Sequence, residues 1–114
     1  MYGFAMTDAG SWHRVAALSD IADGEAKSVR VGEREIALCR VDGAICAFED
    51  LCPHAYALLS EGFVEGGEIE CPLHGARFEI ATGRCLAPPA DRDLQTYPVR
   101  VDGDDVFVEI DTQG

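Results

Sequence analysis

Twenty-one acidic against nine basic residues over 114 positions leave a net charge of −12, which argues against nucleic acid and anionic membrane surfaces as partners. The length suits one domain with a modest core, and no apolar window approaches membrane-spanning length. Met1 to Met6 carry neither a basic n-region nor the apolar run of a secretory signal, which predicts a cytoplasmic protein.

Almost nothing in the chain has helical period. Short β-rich runs are separated by Gly, Asp and Pro at close intervals, which predicts an all-β domain. Trp12 to Ala16 reads as a first strand, Leu18 to Glu25 as a turn-rich connection with one helical turn, and Lys27 to Val31 as a second strand turned by Gly32-Glu33. Glu35 to Val41 and Ile45 to Phe48 flank Asp42-Gly43, a strong hairpin signal because Gly tolerates the positive φ of a tight turn. Gly66-Gly67 punctuates the chain before a short strand, Glu68 to Cys71. Arg77 to Ile80 and Arg84 to Leu86 flank Ala81-Thr82-Gly83 as a second hairpin, and Pro88-Pro89 predicts a stiff loop. Tyr97 to Val101 and Val106 to Ile110 close the domain. The outer segments, about 12–49 and 90–110, are expected to form a β base, with 50–89 inserted as a small subdomain.

Two stretches in that middle carry the chemistry: Cys52-Pro53-His54 and Cys71-Pro72-Leu73-His74-Gly75. Each offers one soft thiolate and one imidazole, and residues 55–70 separate the two sets. Two Cys and two His split evenly between loops fit the ligand set of a Rieske [2Fe–2S] centre. The competing reading is a structural zinc site, which also takes Cys₂His₂ but commonly pairs Cys with Cys and His with His. Pro53 and Pro72 stiffen the loops by fixing φ, and Gly75 lets the backbone turn beside His74. Of the other cysteines, Cys39 and Cys46 lie in apolar runs and read as small buried hydrophobes, and Cys85 is given no chemistry. His13 reads as an ordinary strand residue.

The string Cys52-Pro-His54, Leu59-Ser60-Glu61-Gly62, Cys71-Pro-Leu-His74-Gly75-Ala76-Arg77-Phe78, Thr82-Gly83 and Pro88-Pro89-Ala90 resembles the Rieske-type ferredoxins of bacterial multicomponent aromatic-ring-hydroxylating dioxygenase systems. The resemblance implies an antiparallel β sandwich or barrel base bearing a small cluster-binding subdomain. It implies one [2Fe–2S] cluster, with Cys52 and Cys71 on one iron and His54 and His74 on the other. It further implies a monomeric one-electron carrier, not an enzyme. Its partners would be a flavin-dependent NAD(P)H ferredoxin reductase and a terminal oxygenase, each docking transiently near His54 and His74. A Rieske-type small subunit of a reductase such as nitrite reductase is the alternative. No facial triad of two His and a carboxylate can be assembled within these residues, since His13 is the one spare His.

Further roles follow from that frame. Leu58, Leu59, Phe63 and Phe78 are expected to pack around and under the cluster. Leu73 and Pro88-Pro89 are expected at the partner contact, while Glu49, Asp50, Glu61, Glu65 and Glu68 form an acidic group suited to steering a basic partner. Respiratory Rieske proteins carry an additional Cys in each loop, where this chain has Ala57 and Leu73. Their sulfur-directed Ser and Tyr hydroxyls are replaced by Ala76 and Phe78. Hydrogen bonds to sulfur favour the reduced, more negative cluster, so their loss lowers the potential. A midpoint near the low end of the Rieske range of about −150 to +300 mV is expected, and a redox titration giving a value above about 0 mV would refute it.

Overall fold

The computed structural model describes residues 11–53, 57–73, 75–87 and 92–110. They form eleven strands: β1 (Ser11–Ala17), β2 (Ala26–Val31), β3 (Arg34–Val41), β4 (Ala44–Glu49), β5 (Phe63–Glu65), β6 (Glu68–Glu70), β7 (Arg77–Glu79), β8 (Cys85–Ala87), β9 (Thr96–Tyr97), β10 (Val99–Asp102) and β11 (Asp105–Ile110). Two single 3₁₀ turns, Leu18–Asp20 and Leu59–Glu61, interrupt them. The strands make three antiparallel sheets, ordered β1-β11-β10, β2-β3-β4-β9 and β5-β6-β7-β8. The expected all-β antiparallel class is the observed one. Among the described residues no helix is long and apolar enough to cross a membrane.

The sheet β2-β3-β4-β9 has a core on each side of it. Alternate strand residues point to opposite faces. Ile36 and Leu38 of β3 pack with Ala16, Val106 and Val108, whereas Ala37 and Cys39 pack with Leu59, Ile69 and Phe78. Ala47 and Phe48 of β4 divide in the same way. The four consecutive residues Ile36–Cys39 are therefore wholly buried, a continuous apolar run of the kind a strand covered on both faces carries.

Tight turns set the register. Asp42 (φ 52°) and Gly43 (φ 84°) form the two-residue loop between Val41 and Ala44, which needs positive φ at both positions. Gly66-Gly67 (φ 60° and 79°) does the same between Glu65 and Glu68. The punctuation seen in the sequence is thus itself a hairpin turn, and it creates β5, a three-residue strand too short to show a period. The expected strand Tyr97–Val101 is divided at Pro98. This residue has no N–H for a ladder, and its carbonyl accepts from the Glu109 N–H at 3.0 Å. Residues before it pair with β4 and those after it with β11, so the chain changes sheets there.

Because Leu38 is fully buried while Val101 is 42% exposed, truncation of each to Ala should separate sharply. Urea unfolding of Leu38→Ala is expected to show a loss of about 2–5 kcal/mol. Val101→Ala should stay within about 0.5 kcal/mol of the parent.

Candidate metal centre

Two loops of matching construction leave the strands, and each begins with a buried cysteine. After β4, Leu51 pairs with Leu58 in an antiparallel bridge, and the Cys52 N–H donates to the Ala57 carbonyl at 2.9 Å. After β6, the Cys71 N–H donates to the Ala76 carbonyl at 2.8 Å. Both loops are thus closed by a bond from the cysteine to the residue five positions on. The second is tightened by the Gly75 N–H donating to the Cys71 carbonyl at 3.2 Å, with Gly75 at φ 78°. Cys52 and Cys71 are 2% and 1% exposed and lie in one buried cluster with Leu59, Ile69, Ala76 and Phe78. Leu73, near the tip of the second loop, is 54% exposed. His54 and His74, with Pro88 and Pro89, lie outside the described residues.

Packing around the loops corrects one expectation. Leu59 and Phe78 are buried in the same cluster as the two cysteines, and Leu58 is half-buried. Phe63 is instead 63% exposed. It starts the edge strand β5, where Val64 opposite Ile69 takes the inward position and alternation turns Phe63 outward.

The acidic group also divides. Only Glu61 and Glu65 of the five expected steering residues are exposed. Glu68 pairs with Arg77. Glu49 receives two bonds from Arg92, at 2.8 and 3.2 Å, and a third from the Gln95 N–H at 2.8 Å. Asp50 is fully buried because Ser60 satisfies both carboxylate oxygens: the Ser60 N–H donates to Oδ1 at 2.7 Å and its hydroxyl to Oδ2 at 2.8 Å. The role of Asp50 and Ser60 was not visible in the sequence, since two common polar residues ten positions apart carry no motif of their own.

Of the cysteines expected to be buried, Cys39 is fully buried, whereas Cys46 is half-buried against the same core. Cys39 sits directly opposite Cys46 across β3 and β4. Burial pushes the Cys39 thiol up to about 11, with Cys46 a lesser cause, and burial also raises Cys46. Both are therefore protonated and poorly reactive at neutral pH. Cys85 is half-buried, with its backbone N–H donating to Asp93 Oδ1 at 2.8 Å. His13 occupies an ordinary position on β1 opposite Val108.

Two buried thiols on matching loops supply the soft donors that an iron–sulfur cluster requires. Residues 11–98 match the Rieske [2Fe-2S] domain family. The chain belongs to that family. Among its Rieske relatives is the ferredoxin component of the naphthalene 1,2-dioxygenase/salicylate 5-hydroxylase systems of Ralstonia sp. It is 44% identical over 101 residues, covering 89% of this chain and 97% of the relative. Two solved Rieske structures agree in fold. The ferredoxin of carbazole 1,9a-dioxygenase from Nocardioides aromaticivorans IC177 matches with a TM-score of 0.82 and 35% identity over 86% of this chain and 96% of that one. A chain from the complex of reduced oxygenase and oxidized ferredoxin in carbazole 1,9a-dioxygenase matches with a TM-score of 0.81 and 39% identity, covering 86% and 92%.

The Gly62 of the Rieske string has a steric reason. A Cβ there would stand 2.0 Å from the Glu70 carbonyl oxygen, one residue before Cys71. Gly62→Ala must push β6 and the second loop away. It is expected to cost about 1–3 kcal/mol and to lower the iron bound per chain, read by thermal melting and metal analysis.

Proposed function

We propose that this chain is the ferredoxin component of an aromatic-ring-hydroxylating dioxygenase system, carrying single electrons from a flavoprotein NAD(P)H reductase to the terminal oxygenase. The reading places Cys52 and Cys71 on one iron and His54 and His74 on the other. The observation that carries it is the pair of buried cysteines on matching closed loops, in a Rieske chain whose relative is named a ferredoxin component. When bound, the [2Fe–2S] cluster takes up and returns one electron.

The protein's own residues do the rest. Cys52 and Cys71 anchor the metal from inside an apolar cluster, and Leu59 and Phe78 keep water from that side. Exposed Leu73 sits in the second loop one position before His74, where a docking partner would meet the proposed electron exit at His54 and His74. A docking complex with an oxygenase has a precedent in the carbazole system. Redox encounters of this kind use small interfaces, below about 1,200 Å², compatible with rapid turnover. The excess of negative charge favours basic partner surfaces and salt-sensitive association. We place the protein in the cytoplasm as a monomer, with residues 50–89 acting as the cluster-binding subdomain on a β base formed by about 12–49 and 90–110.

Reconstituted protein should hold two irons and two labile sulfides per chain, and its reduced form should give the electron paramagnetic resonance spectrum of a His-ligated cluster. Cys71→Ala should abolish both. One zinc and a colourless protein would overturn the cluster, and a permanent complex with a larger reductase in pull-down would point to a subunit in place of a carrier.

A further inference from the structure

Cys39 and Cys46 face each other across β3 and β4, and neither is a ligand in the reading above. The two-residue turn Asp42-Gly43 makes Val41 and Ala44 a hydrogen-bonded pair, and alternation makes Cys39 and Cys46 the next such pair along the hairpin. The Arg40 N–H agrees with that phase, since it points away from β4 and donates to the Glu25 carbonyl at 3.2 Å. Cα atoms of such a pair stand about 5.5 Å apart, within the range of about 4.4–6.8 Å that a disulfide spans. Directly opposite Cβ atoms lie about 4.5–5.5 Å apart, so a disulfide would draw them together by about 1 Å. Both side chains pack with the core that holds Phe48, Leu59 and Phe78. The two thiols differ in access. Cys39 is fully buried, whereas Cys46 is half-buried and lines an open groove of about 480 Å³ with Ala47, Ile80, Ala81, Thr96 and Tyr97. The groove lies where β9 ends: Ala47 pairs with Tyr97, and Pro98 beyond it cannot extend the ladder.

We propose that Cys39 and Cys46 form a reversible redox modification site, closing to a cross-strand disulfide by exchange with a small-molecule disulfide that enters the groove. Cys46 reacts first because it lines the groove. Its sulfur bonds to one sulfur of the incoming disulfide, and the other sulfur leaves as a thiol. Cys39 then attacks the Cys46 sulfur, which forms the bond between the strands and releases the second small thiol. Two protein thiols are oxidised, one small disulfide is reduced to two thiols, and the two protons of the protein thiols end on the released pair. Burial holds both protein thiols protonated, which makes the exchange slow at neutral pH. Drawing the Cβ atoms together strains the bond, and strained disulfides are the readily reduced ones. In a reducing compartment the pair therefore rests as the dithiol and closes when oxidised small thiols accumulate. The bond forms on the floor of the proposed metal centre, since Cys39 shares its buried core with Cys52 and Cys71. It needs no cluster, so it stands apart from the Rieske reading.

The test is made on the full chain reconstituted with iron and sulfide. It is brought to equilibrium with oxidised or reduced glutathione, with circular dichroism confirming the fold in each sample. Acid-quenched, alkylated protein is then digested with trypsin and a Glu-specific protease, which cut at Arg40 and Glu49 and so separate the two cysteines from each other and from Cys52. In oxidised glutathione, more than about half of the chain is expected to yield a peptide pair linked from Cys39 to Cys46 by mass spectrometry, against less than about a tenth in reduced glutathione. Cys46→Ala should lose the link. Cys39→Ala should stop at the first step, with Cys46 capped by glutathione and freed by dithiothreitol. Absence of the link in the folded parent overturns the proposal, as does a parent in which Cys46 stays capped while Cys39 remains a thiol, or in which either cysteine links to Cys85 instead. If a variant does not fold, the peptide map of the parent decides alone. A chain that takes up no iron would refute the metal centre, and the same map would still decide this site.

Discussion

Burial of one strand on both faces is the constraint on which the rest of the structure depends. Ile36, Ala37, Leu38 and Cys39 have no exposed surface, and their side chains feed two separate cores. One core closes the molecule against β1 and β11. The other, through Ala37, Cys39 and Phe48, is the floor on which Leu59, Ile69, Phe78 and the two loop cysteines rest. A metal-binding loop by itself has too little apolar surface to offset the entropy of ordering it. Here the cysteines are members of the core, so the loops inherit the rigidity of the central sheet.

Polar ties complete what packing begins. Each cysteine backbone closes its own loop. Segment 92–95 is held to the end of β4 by Glu49, and Leu94 donates its N–H to the Gly83 carbonyl at 2.7 Å. That approach is possible because Gly83 has no side chain: a Cβ would lie 2.7 Å from the Leu94 carbonyl oxygen. The Thr82-Gly83 of the family pattern is thus a packing requirement beside the site. Gly62 meets a similar one against Glu70.

The charges of the cluster half do different jobs although they look alike in the sequence. Glu68 and Glu49 are paired with arginines, and Glu61 and Glu65 face solvent. Asp50 is interior. What distinguishes them is the partner that folding delivers. Ser60 can reach Asp50 because the 3₁₀ turn Leu59–Glu61 folds back onto the chain entering the first loop, with the Leu59 N–H on the Asp50 carbonyl.

The local chemistry of turns and strands was legible in the chain alone. Asp42-Gly43 needed positive φ, alternation and β-branched residues marked most strands, and two Cys–His pairs at mixed spacing named the family. Those signals are local, and each is carried by residues within a few positions of one another. Tertiary structure alone decided the rest. The three-residue β5 exists because β6 offers it an edge, Phe63 faces outward because Val64 takes the inward place, and the strand expected from Tyr97 to Val101 divides because Pro98 lacks a ladder donor between two sheets. Asp50 and Ser60 became one buried unit by the same principle. Whether a carboxylate is a solvated charge or an interior one depends on which donors arrive from elsewhere in the chain, and that is settled when the sheets pack.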